Sequence, residues 1–285
     1  MSETASSRGL TIPDMLFAAF QMMFSIICVA ILTGSVVGRM RFTPLAIFVV
    51  FWLLLVYYPF AHMVWDEGLL AKWGTIDFAG GDVVHITSGV SALVLAIVVG
   101  KRRDFGILEH RPHNVPFVLL GASLLWFGWF GFNAGSASAQ WISSSCSCDY
   151  AFFCSSCHIS WLALEKYVTG HPTLVGASTG LVAGLVAITP GADFVSIWSS
   201  ILIGAMVSPV CFYAISVLKK RTNYDDALDV FGCHGVGGIF GGLCTAVFTT
   251  PNLALDKANF GLIYGNARLF IVTVLAIVFT VTWSG

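Results

Sequence analysis

Nine stretches of this chain are apolar and nearly free of charge over about the twenty residues a helix needs to cross a bilayer. They run approximately over Leu16–Val37, Phe42–Trp65, Val83–Gly100, Val115–Ala139, Trp141–Leu164, Pro172–Ala192, Phe194–Leu218, Val230–Thr250 and Leu269–Gly285. No other feature limits the fold so strongly. In hydrocarbon each backbone polar group needs a partner within its own segment or a closed barrel. Runs of this length predict an all-α polytopic membrane protein forming a single transmembrane domain over residues 1–285. Only 10% of the residues are charged and the mean hydropathy is +0.85, far from the composition of a water-soluble enzyme. The net charge of −1 offers no basic face to nucleic acid. The first residues carry Glu3, Arg8 and Asp14 and no small-residue cleavage site, so no cleaved leader is expected. The last stretch stops at Trp283, Ser284 and Gly285 without a polar flank, and a truncated C-terminus is expected.

The basic residues alternate with the apolar stretches. Arg39 and Arg41, then Lys101, Arg102, Arg103 and Arg111, then Lys166, then Lys219, Lys220 and Arg221 follow stretches 1, 3, 5 and 7. The opposite side holds only Arg8, Lys72, Lys257 and Arg268. The positive-inside rule then places the protein in the cell membrane with its N-terminus outside and the Arg102 and Lys220 loops in the cytoplasm.

Ionisable groups at membrane depth are costly and are functional candidates by default. Two arrangements match. Asp77-Phe-Ala-Gly-Gly-Asp82-Val-Val-His85 enters stretch 3, and Asp229-Val-Phe-Gly-Cys-His234 enters stretch 8. These stretches are five apart and so run in opposite directions, as an inverted repeat of five helices per half requires. Two imidazoles brought together from such helices would line a narrow polar pore; the blander alternative is two unrelated buried histidines. Asp77 and Asp229 are expected to cap or orient the helix starts rather than touch cargo, with Asp82 as a further cap. Aromatic residues form a second set: Phe20 and Phe24 in stretch 1, Trp65 at the end of stretch 2, and Phe132 with Ser136 at the end of stretch 4. An indole face attracts a small cation and a hydroxyl accepts its hydrogen bond. Taken singly, each is as well explained as a membrane anchor or core residue.

The strings PFAHMVW (from Pro59), DFAGGDVVHI (from Asp77), LLWFGWFGFNAGS (from Leu124), AGLVAITPGA (from Ala183) and DVFGCHGVGGI (from Asp229) resemble the ammonium transporter (Amt/Mep/Rh) family, in particular its Amt branch. The resemblance implies an ammonium-transporter-like helical bundle of eleven helices, of which this chain carries the third to part of the eleventh, truncated at both ends. It implies a homotrimer with one pore per subunit and no enzymatic activity or cofactor. Trp65, Ser136 and Phe24 would recruit ammonium, and methylammonium would be a possible second cargo. Phe24 and Phe132, with Phe20 beside them, would form the gate. His85 and His234 would be the pore histidines, Asp77 and Asp229 structural acids. Moving a whole charge through a phenylalanine gate is costly, which favours deprotonation before passage with the histidines as relay. A cytoplasmic regulatory protein is a further partner such a molecule can take. The alternative in another class is an ammonium sensor, which binds without conducting. A channel for a neutral solute has no need of the Trp65 and Ser136 site.

Residues 140–158 do not fit. They hold Cys146, Cys148, Cys154 and Cys157 among serines, with Asp149, where the family has an apolar helix. Cys154-Ser-Ser-Cys157-His158 matches a haem attachment pattern and the cysteine pairs could suggest zinc, both weakly. A local reading-frame error explains the composition better. Alanine and valine codons read one base early become NGC and NGT, which give Ser and Cys among few options; threonine codons become NAC, giving Asp, Tyr, His or Asn. Gly235-x-Gly237 with Gly241 lies inside an apolar stretch and is no nucleotide loop, and Gly180-x-x-x-Gly184 is a helix-packing pattern.

Overall fold

A computed structural model describes residues 12–107, 111–137, 144–253 and 259–285, with the side chains of 137 and 144–155 outside that description. Among the described residues nine long helical segments follow one another: α1 (Asp14–Val36), α2 (Phe42–Trp73), α3 (Gly81–Val99), α4 (Val115–Ser136), α5 (Ser144–Thr169), α6 (Leu174–Gly191), α7 (Ile197–Thr222), α8 (Phe231–Phe248) and α9 (Ala267–Ser284). All but α5 are long and apolar enough to cross a membrane. Of the fifth expected span, Trp141–Leu164, residues 141–143 lie outside the described residues; from Ser144 the chain is helical as far as Thr169, with serines, Asp149 and His158 interrupting its apolar pattern. The second runs past Trp65, because the chain breaks at Asp66–Gly68 and resumes as one more turn, Leu69–Trp73.

Three helices of the first half find counterparts in the second. Both α1 and α6 end in a tight 3₁₀ turn, Gly34–Val36 and Thr189–Gly191. Both α2 and α7 widen into a π-turn, Leu53–Tyr57 and Ala214–Leu218. Both α3 and α8 open with a π-turn, Gly81–Ile86 and Phe231–Gly235, and each of these turns carries a histidine. Such turns shift the side-chain register by one residue and recur at functional sites. The halves also exchange bonds. Phe78 N, just before α3, donates to Pro190 O in the last turn of α6 at 3.0 Å, while Ala227 N, just before α8, donates to Ser35 O in the last turn of α1 at 3.2 Å. Where α3 crosses α8, a Cβ on Gly89 would strike the backbone of Gly235, and one on Gly238 would lie 2.9 Å from Ile86 and 3.1 Å from the Cβ of His85. The later residue of each helix thus meets the earlier residue of the other, so the helices run antiparallel, and only glycine permits the approach. This is the inverted repeat expected from the spacing of the two Asp–His signatures.

Helix α5 docks although its apolar pattern is broken. Pro209 inside α7 has no N–H for Ala205 O, and the hydroxyl of Ser160 on α5 donates to that carbonyl at 2.8 Å. Beside it Ser208 donates to Cys157 O at 2.9 Å, the thiol of Cys157 reaches Gly180 O at 2.8 Å, and Trp161 packs on Gly180. Two large apolar cores result, with a smaller one of Ile86, Val90 and Ile277 where α3, α8 and α9 meet. Of the large ones, one is built by α1, α2, α3 and α9, the other by α4 to α8, and Phe132 packs against both. The seam between them holds the two histidines.

Candidate functional site

Each histidine is placed by an aspartate eight residues earlier. The carboxylate of Asp77 accepts from the backbone N–H groups of Gly80 (2.9 Å), Gly81, Asp82 (2.9 Å) and Val83 (3.1 Å), so it satisfies the open donors at the start of α3. Gly80, at φ 111°, allows the entry turn. In the second half the carboxylate of Asp226 accepts from Phe231 N at 2.8 Å, eight residues before His234. Asp226 is therefore the counterpart of Asp77, and the sequence reading had matched Asp229 to that role. Asp229 stands where Gly80 stands, with φ 56°, and pairs with the ammonium of Lys219 at 2.6 Å. The equal eight-residue interval was the signal that separates the two acids. Asp82 is buried beside Asp77, and what it offers to the cap of α3 is its backbone N–H.

The imidazoles meet across the helix crossing, with His85 Nδ1 3.2 Å from His234 Nδ1. His85 is fully buried; Trp129 lies nearly parallel to its ring at 5.5 Å and Phe132 at 6.0 Å. Its Nε2 is buried with no hydrogen-bond partner among the described residues, as is Nδ2 of Asn133. The Trp129 indole is held in turn by the hydroxyl of Thr189, at 3.1 Å, from the terminal turn of α6. Neither Trp129 nor Thr189 was singled out from sequence, where Trp129 is one of several aromatics in a run.

The aromatic candidates continue this row. Phe132 lies 4.5 Å from Phe24, which lies 4.9 Å from Phe20 and meets Trp65 edge-on at 5.6 Å. Trp65 donates its indole N–H to Asp77 O at 2.8 Å, so its edge is fixed by the residue that caps α3. Ser136 is half-buried one turn beyond Phe132, and its hydroxyl donates to Phe132 O at 2.7 Å. A series of ring contacts therefore runs Trp65–Phe24–Phe132–His85–His234. At one end Trp65 lines a cavity of about 500 Å³ between α1 and α2, with Asp14, Gln21 and Asp66. At the other, His234 lines a cavity of about 380 Å³ with Ser178, Asp229 and Cys233.

Below α8 the connecting loops are knotted on one acid. Asp225 is buried, receives Arg102 through its side chain (2.7 and 2.9 Å) and its backbone N–H (2.8 Å), and lies 2.7 Å from the Arg39 guanidinium. Burial alone would push the Asp225 carboxyl up, but the two arginines outweigh it and hold it below the usual carboxylate range. Asp226 next to it is pushed up by burial, against its backbone N–H bonds. Among the described residues no group of three or more His, Cys, Asp or Glu is placed to hold a metal ion. The side chains of Cys146, Cys148 and Cys154 lie outside the described residues.

The ammonium transporter family model matches residues 2–285. The chain belongs to this family. It is 44% identical over 277 residues to an ammonium transporter of Aquifex aeolicus, covering 95% of this chain and 63% of that protein. It is 46% identical over 275 residues to an ammonium transporter of Bacillus subtilis, covering 95% and 66%. The crystal structure of Saccharomyces cerevisiae Mep2 superposes with a TM-score of 0.90 at 35% identity, over 96% of this chain and 65% of that one. A structure titled Sensor Amt Protein superposes at 0.86 with 31% identity, over 94% and 68%. The chain thus spans roughly two thirds of the length of these family members. Its relatives are named for transport, not for catalysis, and its apolar helices make it a multi-pass membrane protein.

Proposed function

We propose that this protein conducts ammonium, as ammonia with a separately relayed proton, along the ring series between Trp65 and His234. The observation that carries the reading is the 3.2 Å contact between His85 and His234 at the end of that series. Phe24 and Phe132, 4.5 Å apart with Phe20 beside them, would serve as the gate, an apolar barrier that disfavours a bare cation. Trp65, Ser136 and Phe24 form the recruiting end, where an indole face and a hydroxyl attract a small cation, methylammonium included. Asp77, whose oxygens are engaged with backbone N–H groups, shapes this end without carrying cargo. The excess of Lys and Arg on one set of loops supports an orientation with the Trp65 end outside and the Arg102 and Lys220 loops in the cytoplasm, where a regulatory protein would meet them. A homotrimer with a pore in each subunit goes with this reading, and cross-linking in the membrane tests it.

The test of conduction is ammonium flux into proteoliposomes carrying the protein. Flux above protein-free vesicles, abolished by His85→Ala, is the expected result. Saturable ammonium binding without flux would overturn it in favour of a sensor, a reading to which the likeness to one sensor structure lends less weight than the named transporters do.

A further inference from the structure

The two ends of the ring series are built on one plan with one exchange. In the first half, a side chain just before the break in α2 reaches back to the carbonyl of the acid that caps the histidine helix: Trp65 Nε1 donates to Asp77 O at 2.8 Å. In the second half, a side chain at the end of α7 does the same: Lys219 Nζ donates to Asp226 O at 2.6 Å. An indole stands at one end and an ammonium group at the other. Lys219 Nζ also lies 2.6 Å from the Asp229 carboxylate, which lines the cavity that His234 opens into. A carbonyl and a carboxylate at this distance are the partners a free ammonium ion would seek on leaving His234. The carboxylate is held in place by the left-handed backbone of Asp229.

We infer that Lys219 is a tethered cation occupying, beside Asp229, the place that free ammonium would otherwise take, and that it sets how weakly the His234 end holds its cargo. The inference rests on the transport reading above. With Lys219 present, the Asp229 charge is neutralised and a second cation is repelled, so cargo leaving His234 is not retained. A passive conduit must show the same ratio of maximal rate to half-saturating concentration from both ends. Weak holding at the His234 end therefore accompanies fast emptying there, while the Trp65 end keeps the tighter grip.

The experiment measures ammonium-evoked currents in membranes carrying the protein in one orientation, with ammonium applied to either face. Lys219→Gln, which keeps a hydrogen-bond donor but loses the charge, is expected to lower the half-saturating concentration at the His234 face by about three- to tenfold. The wild-type asymmetry between faces should shrink accordingly. Lys219→Arg, which keeps the charge, should hold the wild-type asymmetry. Adding Asp229→Asn to Lys219→Gln should abolish the gain, and this pair leaves no charge without its partner should the single variant fold poorly. Unchanged half-saturation at the His234 face in folded Lys219→Gln, or a gain that survives Asp229→Asn, would overturn the inference and leave conduction standing. Absence of current in the wild type would overturn conduction and this inference with it.

Discussion

His85 and His234 face each other through like atoms, Nδ1 to Nδ1 at 3.2 Å. Such a contact is a hydrogen bond only when one ring donates and the other accepts, so a single proton serves both. On the transport reading proposed above, that proton would have two positions, one on each ring, and each ring is set by a helix of a different half. Replacing either ring should stop relay more than it harms folding. His85→Ala is expected to lower ammonium flux about a hundredfold or more, on the scale of a lost proton-transfer group. Wild-type flux from a folded His85→Ala protein in proteoliposomes would refute the relay.

The crossing that brings the rings together has no room to spare. Gly89→Ala would force a methyl group against the Gly235 backbone and is expected to cost about 1–3 kcal/mol. A lowered melting temperature in detergent, with flux lost in parallel, is the outcome to look for. Gly121→Ala, at a position with open space around it, serves as the control and should melt like the wild type.

On the transport reading Trp65 would have two duties, and its substitution should show both. Sequence alone suggests that Trp65→Leu weakens ammonium selectivity with folding largely unaffected. Loss of a cation–π contact of about 0.5–2 kcal/mol would raise half-saturation at that end about two- to thirtyfold. The bond to Asp77 O adds a stability cost of about 0.5–1.5 kcal/mol. Competition between ammonium and methylammonium reads the first effect, and thermal melts read the second.

Asp225 should dominate the acid limb of stability. Its carboxyl lies below the unfolded value in the folded protein, so its ionised form contributes stability at neutral pH. That contribution begins to fade as pH falls towards the unfolded value of about 3.9 and is lost as it passes through the lower folded one. Asp225→Asn leaves Arg39 and Arg102 facing a neutral group and is expected to cost about 3–5 kcal/mol at pH 7. The difference from wild type should shrink as the pH of the melt is lowered, and a constant difference down to strong acid would contradict this.

The anomalous segment at 140–158 carries its own test. We propose that it records a shifted reading frame, and the coding DNA, reread one base over, should give an Ala-, Val- and Thr-rich helix. If no single-base change on each flank restores one, the cysteines are genuine.

What the sequence made legible was whatever is carried by composition or by adjacent residues. The apolar runs gave the helices, and the runs holding His85 and His234 gave the seam. Asp226 and Asp229 both precede His234 closely; the eight-residue interval shared with Asp77 and His85 marks Asp226, and the bond from Phe231 N confirms it. Lys219 and Asp225 were legible as charges but not as partners, because their partners come from other loops or from the curl of a helix end. Helix α5 shows the converse. Its pattern argues against a span, yet the carbonyl left open by Pro209 gives Ser160 a place to dock. Local sequence does not report what a neighbouring helix lacks.

The exchanged bonds between Phe78 and Pro190, and between Ala227 and Ser35, bear on how the chain is made. Helix α3 leaves the ribosome when its partner turn, more than a hundred residues downstream, has not yet been made. At roughly 5–20 residues per second it must wait about 5–20 s before α6 exists to receive Phe78. During that interval Asp82 and His85 have neither the second half's helices over them nor a dry seam to enter. Folding of such a molecule is therefore completed only when both halves exist, and variants that slow the second half should be cleared by quality control before any conduction defect can be seen.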